Sequence, residues 1–469
     1  MTSQRTRPAP RDRAEEDAGN VSFAETERAH GPRAGAFVRA ETGSRRRRAS
    51  GGAPLGGARG VGTSVRERAE EPSGRPLRVA YVITRGDSVG GAQKHVVEVS
   101  AAVKRAGHEV KVFFGADGRT TESIAPLLDE VGVAYTILPR LVRRISPGND
   151  LGAVLDLARE LRAFRPDLLS CHSSKAGIVG RLAAAFVGVP AIFTAHGWAF
   201  GEGRSRGRNF VYRTLERAMS RLSRKIICVS HHDREIGVAA GIDESKLVAV
   251  HNGRKRTSDP EPRTGDPGTE RGAGPVRVVM VGRLAPQKDY DTFLRGASVP
   301  GAALSIVGDG PMNEEIRSLA GQLGLEDRVT FHGYSQDVAG HLKRSDVFVL
   351  CSHWEGFPRS TLEAMRAGLP TIVTDVGGSR EAVVEGVTGY VIPPRSPEVL
   401  WERLQRLTDS ELLRRRMGRA ARQRFLEYFT LERMLQETFH VYTETLGIEK
   451  TTFPVGEGVA DAEAIIQYT

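Results

Sequence analysis

Val347-Phe348-Val349-Leu350-Cys351-Ser352-His353-Trp354-Glu355-Gly356-Phe357-Pro358, continued by Thr361-Leu362-Glu363-Ala364-Met365, decides the fold. Its apolar opening, Val347 to Leu350, predicts a buried parallel strand. Pro358 then suits the first turn of a helix, where a missing N–H costs nothing and φ is already helical. Glu355 falls on the strand-to-helix loop and Glu363 inside the helix. In α/β proteins ligands gather at the open ends of parallel strands, and a helix N-terminus there favours anionic or hydroxyl-rich groups. Two acids at such a point suit the hydroxyls of a sugar and a ribose.

Outward from this stretch the same strand-then-helix alternation recurs. Strands are expected at Arg78–Ile83, Val110–Phe114, Val133–Leu138, Asp167–Ser170, Ala191–Thr194, Ile226–Val229 and Leu247–Val250. After the Pro/Gly-rich stretch that ends at Pro275 they resume at Val276–Val281, Leu304–Val307, Val329–Phe331, Val347–Leu350 and Thr371–Val373. Serial βα units imply an α/β protein of two Rossmann-like parallel-sheet domains facing a cleft. The expected organisation is an Arg-rich disordered extension over 1–75, an N-terminal acceptor domain over 76–255 and a linker over 256–275. A C-terminal donor-binding domain over 276–427 follows, then a helix over 428–448 that packs back on the first domain, and a tail over 449–469. Pro397 suits the first turn of the helix that opens the C-terminal helical region.

Composition narrows the class. The 469 residues carry 39% hydrophobic and 26% charged side chains, enough apolar mass for two large cores. Three cysteines, Cys171, Cys228 and Cys351, are widely spaced and lack zinc-ligand spacing, which points to a reducing compartment and buried strand positions. No apolar run reaches the length of a membrane span, and no apolar core follows the charges of the N-terminus, so a cytoplasmic location is expected. The extension, with its run Arg45-Arg46-Arg47-Arg48, cannot bury enough apolar surface to order itself. It is either an inert arm or a basic segment that binds nucleic acid or anionic lipid.

Each half carries glycine-rich strand ends. Gly90-Gly91-Ala92-Gln93 follows the first strand, and its glycines let backbone N–H groups approach an anion or sugar. The spacing does not fit GxGxxG, which argues against a standard dinucleotide site. In the second half Gly282-Arg283 ends a strand and Lys288 follows, a guanidinium and an ammonium suited to a departing diphosphate.

Gly282-Arg283-Leu284 with Gln287-Lys288-Asp289, Val307-Gly308-Asp309-Gly310-Pro311, and Glu355 seven residues before Glu363 together resemble the family 4 retaining glycosyltransferases. Val376-Gly377-Gly378 and Gly386-Val387-Thr388-Gly389 extend the resemblance, which covers about residues 76–446 and implies the GT-B fold. Gly90–Gln93, His172-Ser173-Ser174-Lys175-Ala176-Gly177 and Thr194-Ala195-His196-Gly197-Trp198 resemble its bacterial surface and capsular polysaccharide branch.

The resemblance implies roles residue by residue. Arg283 and Lys288 would neutralise the donor diphosphate, and Glu363 would accept hydrogen bonds from the ribose. Glu355 would hold sugar hydroxyls near the reacting carbon, with backbone N–H groups of Gly356 and Phe357 beside them. His196 would contact the donor sugar, and Gly90 and Gly91 would lie by the diphosphate. His172, Ser173 and Lys175 are candidates for the acceptor side, either facing an acceptor phosphate or capping the next helix. The two glutamates would thus be binding residues rather than a hydrolase's acid and base.

The donor implied is a nucleoside-diphosphate sugar, most simply a UDP-sugar, with no cofactor and no metal required. Asp289-Tyr290-Asp291 spells DxD, but at a helix start it reads as a cap rather than a cation site. The expected reaction moves a hexose or N-acetylhexosamine to a polyprenyl-diphosphate-linked saccharide in surface polysaccharide or exopolysaccharide synthesis. The alternatives are transfer to a soluble acceptor and, in a different class, an Arg-rich nucleic-acid- or membrane-binding protein. Between Asn209 and Arg224, Val211, Leu215, Ala218, Met219 and Leu222 share one helical face and Arg213, Arg217 and Arg221 the other. With Arg140, Arg143, Arg144, Arg204, Arg206, Arg208 and a net charge of +10, this predicts peripheral association with an anionic membrane, the apolar face going to the core.

Overall fold

Short apolar runs bounded by Gly, Pro and Ser become strands because helices cover both faces of each sheet, so the central strands β1, β4, β5 and β11 are buried along nearly their whole length and the edge strands β3 and β10 are not. The computed structural model describes residues 75–87, 89–116, 123–200, 206–256, 274–449 and 453. The extension over 1–74, Arg204, residues 257–273 of the linker and all of the tail beyond 449 except Phe453 lie outside the described residues.

The first half runs β1 (Arg78–Ile83), α1 (Gly91–Arg105), β2 (Glu109–Phe114), α2 (Ala125–Glu130), β3 (Ala134–Ile137), α3 (Pro147–Phe164) and β4 (Leu168–His172). It continues through α4 (Ser174–Val187), β5 (Ala191–Ala195), α5 (Arg206–Ser220), β6 (Lys225–Cys228), α6 (His231–Ala239) and β7 (Leu247–Ala249). The second half contains β8 (Val276–Val281), α7 (Tyr290–Gly296), β9 (Ala302–Val307), α8 (Asn313–Gln322), β10 (Val329–Gly333), α9 (Val338–Arg344) and β11 (Val347–Leu350). It closes with α10 (Arg359–Arg366), β12 (Thr371–Thr374), α11 (Ser379–Ala382), β13 (Gly389–Ile392), α12 (Pro397–Asp409), α13 (Glu411–Tyr428) and α14 (Leu431–Leu446).

All strand pairings are parallel, in the orders β3-β2-β1-β4-β5-β6-β7 and β10-β9-β8-β11-β12-β13. In both sheets the order reverses beside the first strand, at β1/β4 and at β8/β11. Such a reversal opens a crevice at the carboxyl ends of the two strands, because successive connections leave to opposite faces. Gly90, His172, Gly282 and Ser352 follow or end these four strands, so the two crevices hold the motif loops.

Two departures from the expected elements have local causes. Pro358 is the N-cap residue with extended ψ, and the helix begins at Arg359. Proline's φ serves either position, so the boundary moves by one residue. The edge strand β13, with sequence Gly-Tyr-Val-Ile, was absent from the expected strands: four residues opening on a glycine give almost no periodic signal. Pro397 does occupy the first turn of α12.

The chain crosses between the halves twice, and the crossings lie side by side. Arg254 N donates to Phe429 O at 3.0 Å and Leu431 N to Arg254 O at 2.8 Å. Gly253 is needed here, because a Cβ would strike the Thr430 carbonyl. After the second crossing, Leu431, Met434, Leu435, Phe439 and Tyr442 of α14 enter the core formed by β1, β2 and α1.

Candidate functional site

The loop after β8 and the loop after β11 are zipped together. Asp289 N donates to Cys351 O at 3.0 Å and His353 N to Gln287 O at 2.8 Å. This brings Glu355 between Ser352 Oγ at 2.7 Å, Gln287 Nε2 at 3.1 Å and the Lys288 ammonium. Glu355 and Lys288 are both nearly buried, so their ion pair is strong and their orientation fixed. Gly377, with φ of +53°, lets the next loop run against the Glu355 carbonyl where any Cβ would collide. Arg283 stands exposed on the same β8 loop.

Asp289 is buried as the N-cap of α7, accepting from Thr292 N at 3.0 Å and Thr292 Oγ1 at 2.6 Å. Asp291 pairs with Arg295 at 2.8 Å along the helix surface. The DxD acids therefore serve helix α7.

Glu363, one turn into α10, faces the crossing segment and pairs with Arg254 at 2.6 Å. Arg254 also reaches Glu98 of α1 at 3.1 Å, and Glu98 accepts from Arg359 at 2.6 Å. Burial pushes the Glu98 carboxyl up, but Arg359 and Arg254 more than offset it and hold it ionised, below its ordinary range. Lys94 borders the same network, its pKa lowered by burial and by Arg254. Arg359 lies over Gly91, within 3.3 Å of where a Cβ would stand, and its Nη1 is buried without an acceptor. Lys94, Glu98, Arg254 and Arg359 were not among the residues expected from sequence.

Across the cleft, His196 follows β5 and its Nε2 is hydrogen-bonded to His172 Nδ1 at 3.1 Å. His172 Nε2 meets Ser170 Oγ at 3.0 Å, and His95 packs edge-on against His196 with ring centroids 4.9 Å apart. Burial, then the charge of Arg359, pulls His196 down to about 3, and burial holds His95 and His172 well below the ordinary imidazole range. All three are neutral near pH 7. His95, given no role from sequence, thus belongs to the cluster.

The acceptor-side candidates are each engaged within the N-terminal half. His172 is buried with both ring nitrogens engaged, and Ser173 Oγ bonds Thr84 Oγ1 at 2.6 Å. Lys175 pairs with Asp150 at 2.5 Å and donates to the Arg144 carbonyl. Ser173 stands at the N-cap of α4 but makes no side-chain cap bond. These contacts all lie inside the N-terminal half.

Beyond the Glu98–Arg359 pair, the walls meet again through their loops. A methyl on Gly356 would stand 3.0 Å from the His196 carbonyl oxygen, and Asn252 Nδ2 donates to Phe357 O at 2.9 Å. Glu381 accepts from His231 N, His232 N and His251 Nε2 at 2.9, 2.8 and 2.6 Å. Among the described residues, His95/His172/His196 and His231/His251/Glu381 bring possible cation ligands within 4.8 Å of one another. In each group direct hydrogen bonds already join two of the members.

Comparison with known proteins bears on this geometry. Residues 89–255 match the family model described as Glycosyltransferase Family 4, and residues 268–424 that described as Glycosyl transferases group 1. The chain is 31% identical over 336 residues to the UDP-Gal:alpha-D-GlcNAc-diphosphoundecaprenol alpha-1,3-galactosyltransferase of Escherichia coli, covering 68% of this chain and 86% of that protein. It is 28% identical over 389 residues to glycogen synthase of Mycobacterium tuberculosis, covering 76% and 91%. Among solved structures, Anabaena HepE in complex with UDP and glucose superimposes with a TM-score of 0.67 at 18% identity, over 78% of this chain and 100% of that one. Sucrose-phosphate synthase from Thermosynechococcus elongatus gives 0.69 at 21%, over 79% and 99%.

Proposed function

The chain belongs to glycosyltransferase family 4 and has its GT-B fold, and on that premise we propose that it transfers a hexose or N-acetylhexosamine from a UDP-sugar to a polyprenyl-diphosphate-linked saccharide, with retention at the anomeric carbon. The observation that carries this reading is the convergence of the Glu355–Lys288 pair and Glu363 with the Gly91 and His196 loops on one cleft. The E. coli relative, named for a diphosphoundecaprenol-linked acceptor, supports the acceptor class. The HepE complex with UDP supports the uridine nucleotide.

In this reading Lys288 and Arg283 neutralise the diphosphate, and charge-assisted hydrogen bonds hold it as its negative charge grows. Glu363 leaves Arg254 for the ribose, and Arg254 keeps Glu98. Glu355 orients the sugar ring hydroxyls, with His196 opposite as a neutral hydrogen-bonding group rather than a proton donor. The acceptor hydroxyl oxygen forms the new bond to the anomeric carbon as the bond to the phosphate oxygen breaks. The proton passes to the departing UDP. No cofactor or metal is called for, since two cations already serve the diphosphate. The surface-polysaccharide pathway is the natural setting for such an acceptor.

A second reading, transfer to a soluble acceptor, draws on the similarity to glycogen synthase. A panel of nucleotide sugars offered with lipid-linked and soluble acceptors, read by mass spectrometry, separates the two. Transfer to the lipid-linked saccharide is expected; product only on soluble acceptors would reverse the choice. Lys288→Ala and Glu363→Ala should each lower transfer at least tenfold, about 1.4 kcal/mol of barrier. Undiminished turnover by both, in folded protein, would remove the site assignment whatever the acceptor.

A further inference from the structure

Helix α5 is packed inside out. The residues it turns toward the protein are Asn209, Tyr212, Glu216 and Ser220, spaced three and four apart. Glu216 is only 5% exposed and pairs at 2.7 Å with Arg181 of α4, which is itself fully buried against the Phe193 ring. The inner face is therefore anchored by a buried ion pair. Of the apolar face expected to enter the core, Val211 is 61% and Leu215 37% exposed while Ala218, Met219 and Leu222 are half-buried, and the neighbouring Phe210 is 71% exposed. The correction has a physical reason. Arg181 occupies the interior and demands a carboxylate, so Glu216 must point inward and the apolar stripe must rotate out.

The neighbouring helices on this face of the sheet repeat the pattern. On α3, Leu151 and Leu155 stand exposed one turn apart, and on α4 Phe186 does so under the Arg162 guanidinium. By contrast α1 and α14, on the opposite face of the same sheet, expose no large hydrophobic side chain among the described residues. Every charged side chain that α5 presents to solvent is an arginine: Arg206, Arg208, Arg213 and Arg217. On α3 the partly exposed acids Asp150, Asp156 and Glu160 are each paired with a lysine or arginine, and on α5 the exposed apolar side chains are rimmed only by cations. That rim matches a bilayer with anionic headgroups, where rings and aliphatic chains enter the acyl boundary and guanidinium groups meet phosphate. An acidic or mixed-charge rim would fit a protein partner better.

We propose that the outer face of α3, α4 and α5, centred on Phe210, Val211 and Leu215, docks the enzyme on an anionic lipid bilayer. In a parallel sheet, helices that follow a strand begin at its carboxyl end, so the first turns of α3 and α5 lie at the cleft side of the domain. Docking through them sets the mouth of the cleft beside the headgroups. None of the described helices is long and apolar enough to cross a membrane, so attachment through this face is peripheral. The proposal stands apart from the donor-site reading, because these side chains take no part in that site.

The test uses the full-length protein with vesicles of equimolar phosphatidylglycerol and phosphatidylcholine, and with phosphatidylcholine alone. Wild type should sediment with the anionic vesicles, and Phe210→Ser/Val211→Ser/Leu215→Ser should bind at least tenfold more weakly. Arg208→Glu/Arg213→Glu should lose the preference for anionic lipid. Both variants should transfer sugar to a soluble acceptor analogue as wild type does, which keeps failure of docking distinct from failure of the site. Because Cys171, Cys228 and Cys351 are all buried, an environment-sensitive dye on Phe210→Cys reports this position and should shift to the blue on anionic vesicles. Undiminished vesicle binding by the triple variant would overturn the proposal by assigning attachment to another segment, such as the Arg-rich extension. Absence of wild-type binding would overturn it too. So would a wild-type dimer in light scattering that the triple variant dissolves with vesicle binding unchanged, since the face would then join two copies.

Discussion

On the C-terminal wall of the cleft, Glu355 is held by Ser352, Gln287 and Lys288 from two loops that leave adjacent strands, whereas on the N-terminal wall Glu98 draws Arg254 and Arg359 from 156 and 261 residues away. Both carboxylates are nearly buried and both are paired with cations. They differ in what the pairing is for. Glu355 and Lys288 stand on the loops after β11 and β8, where in the proposed function they exchange each other for a ligand's hydroxyls and phosphates. Glu98 ties α1, the crossing segment and α10 together, so its charge is structural glue between walls. Similar chemistry can therefore be replaceable by substrate in one place and not in the other.

That contrast is broken most easily at Glu355. Glu355→Gln keeps the size and one acceptor oxygen, but it loses the second acceptor and the charge that orients Lys288. Transfer should fall by about a thousandfold, ~4 kcal/mol of barrier, with the folded stability little changed. A large drop in melting temperature with near-normal turnover would place Glu355 with Glu98 as glue.

Glu98→Gln should do the reverse. It leaves the buried Arg254 and Arg359 short of a counter-charge, and breaking one side of a buried pair costs about 3 kcal/mol. Urea unfolding should show this loss, and adding Arg359→Met should restore part of it by removing one stranded cation. Strict additivity of the two changes would show that Glu98 and Arg359 do not act as a pair.

The same distances explain what could be read from the chain and what could not. The parallel α/β fold was legible because each buried strand is a continuous apolar run. Glu355, Lys288 and Glu363 were legible because short segments with fixed spacing carry them. His95, Glu98 and Arg359 were not, because a residue on a helix gains meaning only from partners that the fold brings to it. The misreading of α5 has the same origin: its periodicity identified a helix with an apolar face, but the side that turns inward was set by Arg181 on another element. The pairing of Lys175 with Asp150 and of Ser173 with Thr84 was likewise invisible in the chain, because the partners lie 25 and 89 residues away with no periodic link between them.

The histidine cluster sharpens the comparison through pH. A histidine whose folded pKa is lowered stays neutral while the unfolded chain takes up a proton below its ordinary pKa of 6.5, so stability is lost as pH falls through that value. Each such imidazole contributes about 1.4 kcal/mol per pH unit in this window. Replacing His95 by Asn should therefore shrink the loss between pH 6.5 and 5 by about 2 kcal/mol in urea titrations at the two pH values. An unchanged pH slope would mean that His95 protonates freely and is not part of the neutral cluster.

The smallest effect is expected where the walls touch through Glu381. Burial pushes Asp233 of α6 up to about 7; Ser230, hydrogen-bonded to it, opposes the rise and the nearby Glu381 adds to it. With its folded pKa above the ordinary carboxylate range, Asp233 is still protonated in the folded protein at a pH where the unfolded chain has lost that proton. Stability accordingly falls as pH rises from about 4 to 7, and the penalty stays level above that. Asp233→Asn removes the charge while keeping an acceptor for Ser230 Oγ, now 2.9 Å from the carboxylate. At pH 8 the variant should be the more stable by about 1 kcal/mol, the gain being held down by the loss of an ionic hydrogen bond. At pH 4 the two proteins should be equal, and a gain of the same size at both pH values would show that packing, not the buried charge beside Glu381, sets the stability of this contact.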